Sequence, residues 1–470
     1  MYQAYITQIK NLRPHPNADR LDLGECFGNT VCVGHGDFVE GDLVVYFPTD
    51  GQLSVEFCEQ HNLVRKKDDA GNNIGGYLDP DKRNVRAIKL RGEKSDGLIM
   101  PLSALEYTGV DIRTLEAGFA FTAINGHEIC NKYIPRRPNR AAAGKAGNKT
   151  RKHKVPVAPL FAEHADTEQL AYNLSAFRPG DEIEITLKMH GTSQRTGYLP
   201  VLQGYRRTIW DRLFRREGEP IYDYGYVSGT RRTVLEDFDG GYYGSNEFRE
   251  THSKQFEGKL WKGETVYYEV VGFTTSGVPI MGDGSNEKLG KDFVKQYGKT
   301  TRFSYGCEPF GFKDGAFVRS VNEAEGTEIL RPQSDCYVYR MTMTNPDGQV
   351  VEYTPDFMRY RCEQMGVKTV PVFWKGYLGG TDCPYADDCT KEECNIGECV
   401  KAKAEEYYDG PDPVGKTHIR EGVVVRIVNR PKFTAFKCKN FAFKVIEGII
   451  KDTAEAPDME EAQEEEKENA

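Results

Sequence analysis

Long apolar runs are missing from this sequence. None of its uninterrupted apolar stretches approaches the roughly 20 residues that a membrane-spanning helix needs. No apolar segment follows the opening MYQAYITQIK, which argues against a secretory signal peptide. We therefore expect a soluble, cytoplasmic protein that makes no membrane contact.

Paired cysteines are also missing. The 12 cysteines are scattered without any CxxC spacing, and without a signal peptide this usage predicts reduced thiols. One cluster lies in the segment CPYADDCTKEECNIGEC, and four thiols so close together could hold a structural Zn²⁺. The alternative is a solvated, cysteine-rich insertion. The four residues are Cys383, Cys389, Cys394 and Cys399.

Charge is unevenly distributed along the chain. Residues 451–470 contain nine acidic residues against two lysines, so they account for −7 of the net charge of −9 and predict a disordered acidic tail. Residues 131–154 contain nine basic residues and no acid. Because Pro, Gly and Ala interrupt this segment, we expect a basic flexible linker over residues 126–158. It is either a contact for a phosphate backbone or a plain solvated tether.

The length of 470 residues predicts more than one domain. Residues 1–125 show short strand-like runs between turn signals, such as TVCVGHG and DLVVYFPTDG, which are typical of a small β-barrel. The stretch LRPHPNADRLDLGEC resembles the HPNAD-type opening of tRNA-binding OB-fold modules. Residues 159–450 mix strand-like runs with a few helical patterns. We predict an N-terminal OB-like β-barrel followed by an α+β domain built on antiparallel sheets.

The run EIEITLKMHGTS ends a β-like alternation on Lys188, with His190 and Gly191 directly behind it. Such a strand either delivers one ammonium group to a glycine turn or simply ends there. Further along, YVSGTRRTVL places Arg231 after a small-residue turn. In ETVYYEVVGF, Glu269 interrupts an apolar strand, and a buried acid is costly unless it is paired or bound.

Three later stretches continue the series. CYVYRMT carries Tyr339, and REGVVVRI places Glu421 at the start of an apolar strand. AFKCKNFAF sets Lys437 and Lys439 two residues apart, on one face of a strand. Taken singly, Tyr339 is a core residue, each acid is half of an ion pair, and the two lysines form a solvated strand face. The ordered combination favours a functional site.

In this order the residues resemble the covalent nucleotidyltransferase superfamily of ATP-dependent ligases and mRNA capping enzymes, over most of residues 180–446. The resemblance is closest to RNA ligases with an N-terminal OB-fold domain. It implies an ATP-dependent enzyme that joins 3′-OH and 5′-phosphate ends through lysyl-AMP and RNA-adenylate intermediates. The implied cofactors are ATP and a divalent metal, Mg²⁺ or Mn²⁺. The implied partner of this monomer is nicked or broken RNA, with tRNA or an RNA–DNA hybrid among the candidates.

The resemblance also implies a role for each residue. Lys188 is the adenylated nucleophile and Glu421 the metal ligand. The ATP-binding positions are His190, Gly191, Arg231 or its neighbour Arg232 on the ribose, Glu269 on the ribose hydroxyls, Tyr339 on the adenine, and Lys437 and Lys439 on the α-phosphate. His190 departs from the family, since many relatives have aspartate there and a neutral imidazole brings no negative charge.

The chemistry agrees with these roles. A lysine that attacks the α-phosphorus of ATP stores the energy of the nucleotide as a phosphoramidate, and it must first lose its proton, which nearby cations and a bound metal favour. Two alternatives remain. One is a non-catalytic RNA-binding protein with a decayed transferase domain. The other is a DNA ligase or capping-type enzyme, in which the OB domain usually follows the lysine motifs.

Overall fold

The structure is a computed structural model that describes most of the chain. The described residues are 2–71, 73–134, 155–214, 218–239, 245–309, 318–322, 327–379 and 395–453. Most of the predicted basic linker, most of the acidic tail, and three of the four clustered cysteines (Cys383, Cys389 and Cys394) lie outside these ranges. The predictions for the linker, the tail and the zinc site therefore stay predictions.

Short strands dominate residues 2–134, as the turn-rich sequence predicts. They are β1 (Ala4–Gln8), β2 (Lys10–Pro14), β3 (Leu21–Cys26), β4 (Asn29–Gly34), β5 (Leu43–Phe47), β6 (Gly51–Leu53), β7 (Lys66–Lys67), β8 (Asn73–Gly75), β9 (Ala87–Leu90), β10 (Glu93–Asp96), β11 (Leu98–Pro101), β12 (Ala120–Phe121), β13 (Ala123–Ile124), β14 (His127–Glu128) and β15 (Cys130–Lys132). Helix α1 (Val55–Gln60) begins where the Ser54 hydroxyl accepts the Phe57 N–H at 3.0 Å.

Residues 155–309 contain longer strands. The elements are β16 (Glu168–Gln169), β17 (Glu182–Lys188), β18 (Thr192–Arg206), α2 (Ile209–Leu213), β19 (Glu219–Gly229), β20 (Val234–Leu235), α3 (Glu247–Lys254), β21 (Glu264–Gly272), β22 (Gly284–Ser285), α4 (Lys291–Tyr297) and β23 (Thr300–Thr301). Strand β17 is buried on both faces in its interior because it is a central strand of its sheet.

The remaining elements include the longer helices. They are β24 (Val318–Asn322), β25 (Thr327–Arg331), β26 (Ser334–Thr344), β27 (Val350–Glu352), α5 (Pro355–Met365), β28 (Lys368–Thr369), β29 (Val372–Tyr377), α6 (Ile396–Glu405), β30 (Gly422–Ile427), β31 (Thr434–Lys439) and α7 (Phe441–Thr453). Helix α5 has both of its ends encoded locally. The Thr354 hydroxyl accepts the Phe357 N–H at 3.3 Å, and Gly366 ends the helix in the left-handed region at φ +69°.

The chain divides into two compact units that do not follow chain order. The first consists of Met1–Pro138, Gly284–Thr300 and Lys439–Pro457, and the second of Asn139–Asp283, Thr301–Cys438 and Asp458–Ala470. The predicted domain boundaries, with a ligase domain over residues 159–450, stay a prediction. In the structure, α4 and α7 group with the N-terminal strands.

The first unit is built on short antiparallel sheets. One has the strand order β11–β5–β1–β12 and another the order β2–β3–β4. A core that includes Phe47, Phe57 and Leu105 is almost completely buried. Helix α7 joins this unit, where Lys444 Nζ lies 2.6 Å from the buried Asp96 carboxylate.

The second unit contains two larger sheets. One has the order β20–β19–β18–β21–β26–β27, with β28 beside β26, and the other the order β16–β31–β30–β17–β29. Most pairs are antiparallel, while β16–β31 and β26–β28 are parallel. The predicted α+β fold on antiparallel sheets is confirmed. The three residues 189–191 connect β17 in one sheet to β18 in the other, so the LKMHGTS stretch lies where the two sheets meet.

In the part of the chain that the structure describes, no helix combines the length and the apolar character needed to cross a membrane.

Candidate active site

Lys188 and Glu421 lie side by side in the structure. Lys188 is the last residue of β17 and is paired with Gly422 of β30, so Glu421 comes just before that partner. The lysine Nζ lies 2.8 Å from Oε1 of Glu421. The carboxylate is 2 % exposed and the lysine side chain 23 %. Because a buried carboxylate is costly without a cation, the pair stabilises both charges while leaving Nζ accessible.

The turn after Lys188 is held by its backbone and by close packing. The N–H of His190 donates a hydrogen bond to the Tyr305 hydroxyl at 2.6 Å, and its ring meets Phe303 edge to face at 4.7 Å. Nδ1 of His190 lies 3.6 Å from Oε2 of Glu421, which is an electrostatic contact rather than a hydrogen bond. A Cβ on Gly191 would lie 2.4 Å from the Val270 carbonyl oxygen, so only glycine fits here.

Glu269 is placed beside this turn by strand register. Strand β18 pairs with β21 so that Ser193 faces Glu269, and the Ser193 hydroxyl donates to the Glu269 carboxylate at 3.3 Å. The start of β18 is fixed by Arg249, whose buried guanidinium donates to the Ser193 carbonyl at 3.0 Å and to the Thr192 hydroxyl at 2.5 Å. Arg249 was not among the residues predicted from the sequence.

Arg231 and Arg232 both contact one carboxylate, that of Asp166. Arg231 Nη2 donates to Oδ1 and Arg232 Nη2 lies 3.2 Å from Oδ2. Burial acts to raise the pKa of Asp166, but the charges of the two arginines and the hydrogen bond from Arg231 outweigh it and lower that pKa. Both arginines, the two alternatives for the ribose contact, therefore lie beside the same carboxylate.

Tyr339 is the extra residue of a β-bulge. Tyr268 pairs with Val338 and Tyr267 with Arg340, which leaves Tyr339 between two register positions. Its ring lies 5.4 Å from the His164 ring, two residues from Asp166. Burial, followed by the charges of nearby arginines, lowers the pKa of His164 to about 3, so this imidazole is neutral at physiological pH.

Lys437 and Lys439 both lie in β31. Lys437 is paired with Gln169 of the parallel strand β16. Lys439 belongs to the first compact unit, where its Nζ makes hydrogen bonds of 2.9 and 2.8 Å to the Glu447 carboxylate. The predicted joint role of the two lysines on the α-phosphate stays a prediction.

Tyr305 packs against His418, which forms a buried pair of titratable residues with Asp412. The His418 ring meets the Tyr305 ring edge to face at 4.6 Å and lies 5.2 Å from Phe303. Asp412 accepts the N–H groups of Val414 and Gly415 at 2.8 and 3.0 Å. Burial raises the pKa of Asp412 and lowers that of His418, so it favours the neutral form of both. The sequence carries no motif that signals these residues, since they act through packing.

Within the residues that the structure describes, no group of three or more His, Cys, Asp or Glu side chains is arranged to hold a metal ion. The predicted metal ligand Glu421 is therefore a single carboxylate beside Lys188. Of the predicted zinc ligands only Cys399, in α6, lies in a described range, and it is half-buried. The predicted zinc site therefore has no support in the described residues.

Comparison with known proteins supports the fold. A family model described as an OB-fold domain matches residues 3–102. No curated protein matches the chain in sequence. The solved structures similar to it include a lysine-to-methionine variant of the Naegleria gruberi RNA ligase with AMP and Mn, at 17 % identity and a TM-score of 0.51. The match covers 94 % of this chain and 97 % of that chain.

Other structures of the Naegleria gruberi RNA ligase match over the same shares of both chains. The ligase with PPi has 16 % identity and a TM-score of 0.51, and a lysine-to-alanine variant with ATP and Mn has 16 % identity and a TM-score of 0.50. At identities this low, the structural similarity shows a common fold alone. The resemblance drawn from the sequence, to an RNA ligase with an N-terminal OB-fold, is thus confirmed at the level of the fold.

Proposed function

We propose that the protein is an ATP-dependent RNA ligase that joins 3′-OH and 5′-phosphate ends. The observation that carries the proposal is the position of Lys188. Its Nζ lies at the end of a buried strand, 2.8 Å from the buried Glu421 carboxylate, and the turn that follows leads into the strand that faces Glu269. The fold shared with an RNA ligase over 94 % of the chain supports the same reading.

The proposed reaction has three steps. Lys188 Nζ, after losing a proton, attacks the α-phosphorus of ATP, so that a P–N bond forms and the bond to the β-phosphate oxygen breaks with release of pyrophosphate. An RNA 5′-phosphate oxygen then attacks the same phosphorus, the P–N bond breaks, and the lysine regains a proton. Finally the 3′-OH attacks the RNA 5′-phosphate, and AMP leaves as the phosphodiester forms.

The neighbouring residues fit the binding of ATP. Glu269 lies beside the end of β17 and offers carboxylate oxygens to ribose hydroxyls. Arg231 and Arg232 offer cations to the nucleotide, and Tyr339 offers an aromatic ring. Because Asp166 already contacts both arginines, an incoming ribose or phosphate would compete with this carboxylate for the guanidinium groups.

Glu421 fits a divalent cation that arrives with ATP. Mg²⁺ and Mn²⁺ prefer oxygen ligands, and Mg²⁺ is typically held by one or two carboxylates together with substrate phosphates. A single buried carboxylate is enough for that pattern. When bound, such an ion would neutralise charge on the phosphates of ATP. Glu421 would then serve both the ion and Lys188.

The test is covalent labelling. The protein is incubated with ATP labelled at either the α or the γ position, with Mg²⁺ or Mn²⁺, and is then denatured and separated on a gel. Label from α-labelled ATP alone should stay on the wild-type chain, and Lys188→Ala should abolish it. Lys254→Ala is the matched control, because this exposed lysine pairs only with Glu250 at the surface.

The outcome also separates the alternatives. An adduct that persists in Lys188→Ala, or none in the wild type with either metal, contradicts the proposal. Efficient labelling by GTP instead of ATP would indicate a capping-type enzyme. Sealing of a nicked DNA duplex in preference to a nicked RNA duplex would indicate a DNA ligase.

A further inference from the structure

A long β-hairpin extends from the candidate active site. Strands β18 and β19 pair from Arg195–Gly229 at the base to Arg206–Glu219 near the tip. The base adjoins the site, because β18 starts at Thr192. With 15 residues at about 3.3 Å each, β18 carries its far end at most roughly 45 Å away. The tip is therefore the end of the hairpin that points away from its base at the candidate site.

The tip exposes large apolar side chains. The exposed fractions are 83 % for Ile209, 67 % for Trp210, 67 % for Leu213 and 60 % for Phe214. These residues lie on and directly after α2. The Trp210 and Phe214 rings are nearly parallel, with an interplanar angle of 13° and centroids 6.1 Å apart. A group of exposed apolar side chains on one short segment marks an interaction site rather than a core.

The tip has a defined local structure. The Thr208 N–H and hydroxyl donate to the Asp211 carboxylate at 2.9 and 2.6 Å. In return, the Asp211 N–H donates to the Thr208 hydroxyl at 3.1 Å. This reciprocal arrangement is that of a helix capping box. It stabilises the start of α2, the helix that carries Trp210.

The tip is also basic. Arg206 and Arg207 are exposed and precede α2. Residues 206–219, which close the hairpin, contain five arginines and three acids, although Arg215, Arg216 and Glu217 lie outside the described residues. The segment therefore carries a net positive charge. Aromatic rings interleaved with arginines are the pattern of surfaces that bind single-stranded nucleic acid.

We propose that this hairpin tip binds an unpaired stretch of the RNA substrate. Bases stack on Trp210 and Phe214, and phosphates contact Arg206 and Arg207. Unpaired RNA is the occupant that uses both features, since stacking requires bases free of a duplex and the arginines match phosphate. A helix of five residues gives little area for insertion into a membrane. The inference rests on the proposed function, which supplies RNA as the substrate.

The test uses the full chain and measures binding of a fluorescent single-stranded oligouridine by anisotropy. Trp210→Ala combined with Phe214→Ala should weaken binding about ten-fold or more, because aromatic stacking contributes strongly per base. The slope of log affinity against log salt should stay the same. Arg206→Gln combined with Arg207→Gln should instead reduce that slope by about 1.4, the value for two single-strand phosphate contacts. Tyr360→Ala is the control, since this exposed aromatic residue lies on α5.

Three results would overturn the inference. One is an unchanged RNA affinity in the double aromatic variant, and another is no measurable RNA binding by the wild-type chain. The third is a double aromatic variant that loses binding to phosphatidylserine vesicles, or changes from dimer to monomer in sedimentation, while its RNA binding stays the same. Adenylation of Lys188 is measured without RNA on the same wild-type preparation. If it fails while RNA binding depends on Trp210, the proposed function is wrong and the RNA-binding tip stands.

Discussion

Gly191 lies in the turn that connects the two sheets, and replacing it with alanine tests whether its close packing against β21 sets the site. The new Cβ would lie 2.4 Å from the Val270 carbonyl oxygen, 2.8 Å from Val271 Cγ1 and 2.9 Å from Glu269 Cγ. Ordinary van der Waals contact begins at 3.4 Å, so the turn or strand β21 has to move by about 1 Å. Backbone cannot yield as cheaply as the end of a flexible side chain.

The expected cost has a structural and a catalytic part. Overpacking of a well-packed site typically costs about 1–3 kcal/mol of stability. A shift of about 1 Å also displaces Lys188 and Glu269 relative to each other, and misplacement on that scale can reduce a reaction rate by about 100-fold. We therefore expect Gly191→Ala to fold with a lower free energy of unfolding and to form the Lys188 adduct far more slowly.

The assay combines urea unfolding with the rate of single-turnover adenylation. Gly225→Ala is the matched control, because this glycine lies in β19 of the same sheet and an added Cβ would be 3.6 Å from its nearest neighbour, on Val201. The control should behave like the wild type in both measurements. A Gly191→Ala protein with unchanged stability and an adenylation rate within two-fold of the wild type would refute the reasoning.

Two further predictions concern buried polar groups. Tyr305→Phe removes the hydroxyl that accepts the His190 N–H. Because an unsatisfied buried donor costs about 1–3 kcal/mol, this variant should have a lower urea midpoint and should be adenylated more slowly. Unchanged values would contradict the role of this hydrogen bond. Burial lowers the pKa of His252 from 6.5 to about 4. Between these pH values the imidazole is protonated in the unfolded chain and neutral in the folded chain, so the stability falls as the pH drops below 6.5. At pH 5 this should cost about 2 kcal/mol of stability relative to pH 7, and His252→Gln should lose less; equal losses would reject the assignment.

Much of the strand framework of the candidate site could be predicted because it is encoded locally. The runs ETVYYEVVG and GVVVRI are rich in apolar and β-branched residues and form β21 and β30, and EIEITLK alternates acids with aliphatic residues and forms β17. Lys188 ends its strand at the turn, whereas Glu269 lies within β21, between β18 and β26. The placement of Lys188 against Glu421 follows from the pairing of two such strands.

The residues that complete the site could not be predicted. Tyr305, Phe303 and Asp166 come from connecting segments. The contacts of Tyr305 and Phe303 with His190, and of Asp166 with Arg231 and Arg232, depend on how distant parts of the chain pack. The bulge at Tyr339 is equally invisible in the sequence, where Tyr337 and Tyr339 look like a regular alternation. The grouping of α7 with the N-terminal strands depends on side-chain contacts such as Lys444 with Asp96, which no local pattern encodes.

The Lys188–Glu421 pair poses a constraint on the order of events. In the ion pair the lysine nitrogen is an ammonium group, which has no lone pair with which to attack phosphorus. Glu421 is 2 % exposed, so the pair cannot separate by moving the carboxylate into water. In the reaction that we propose, Lys188 has to lose this proton first, and a cation brought in with ATP would compensate the charge of Glu421 when it does. The same pair would thus keep the lysine unreactive until the nucleotide is bound.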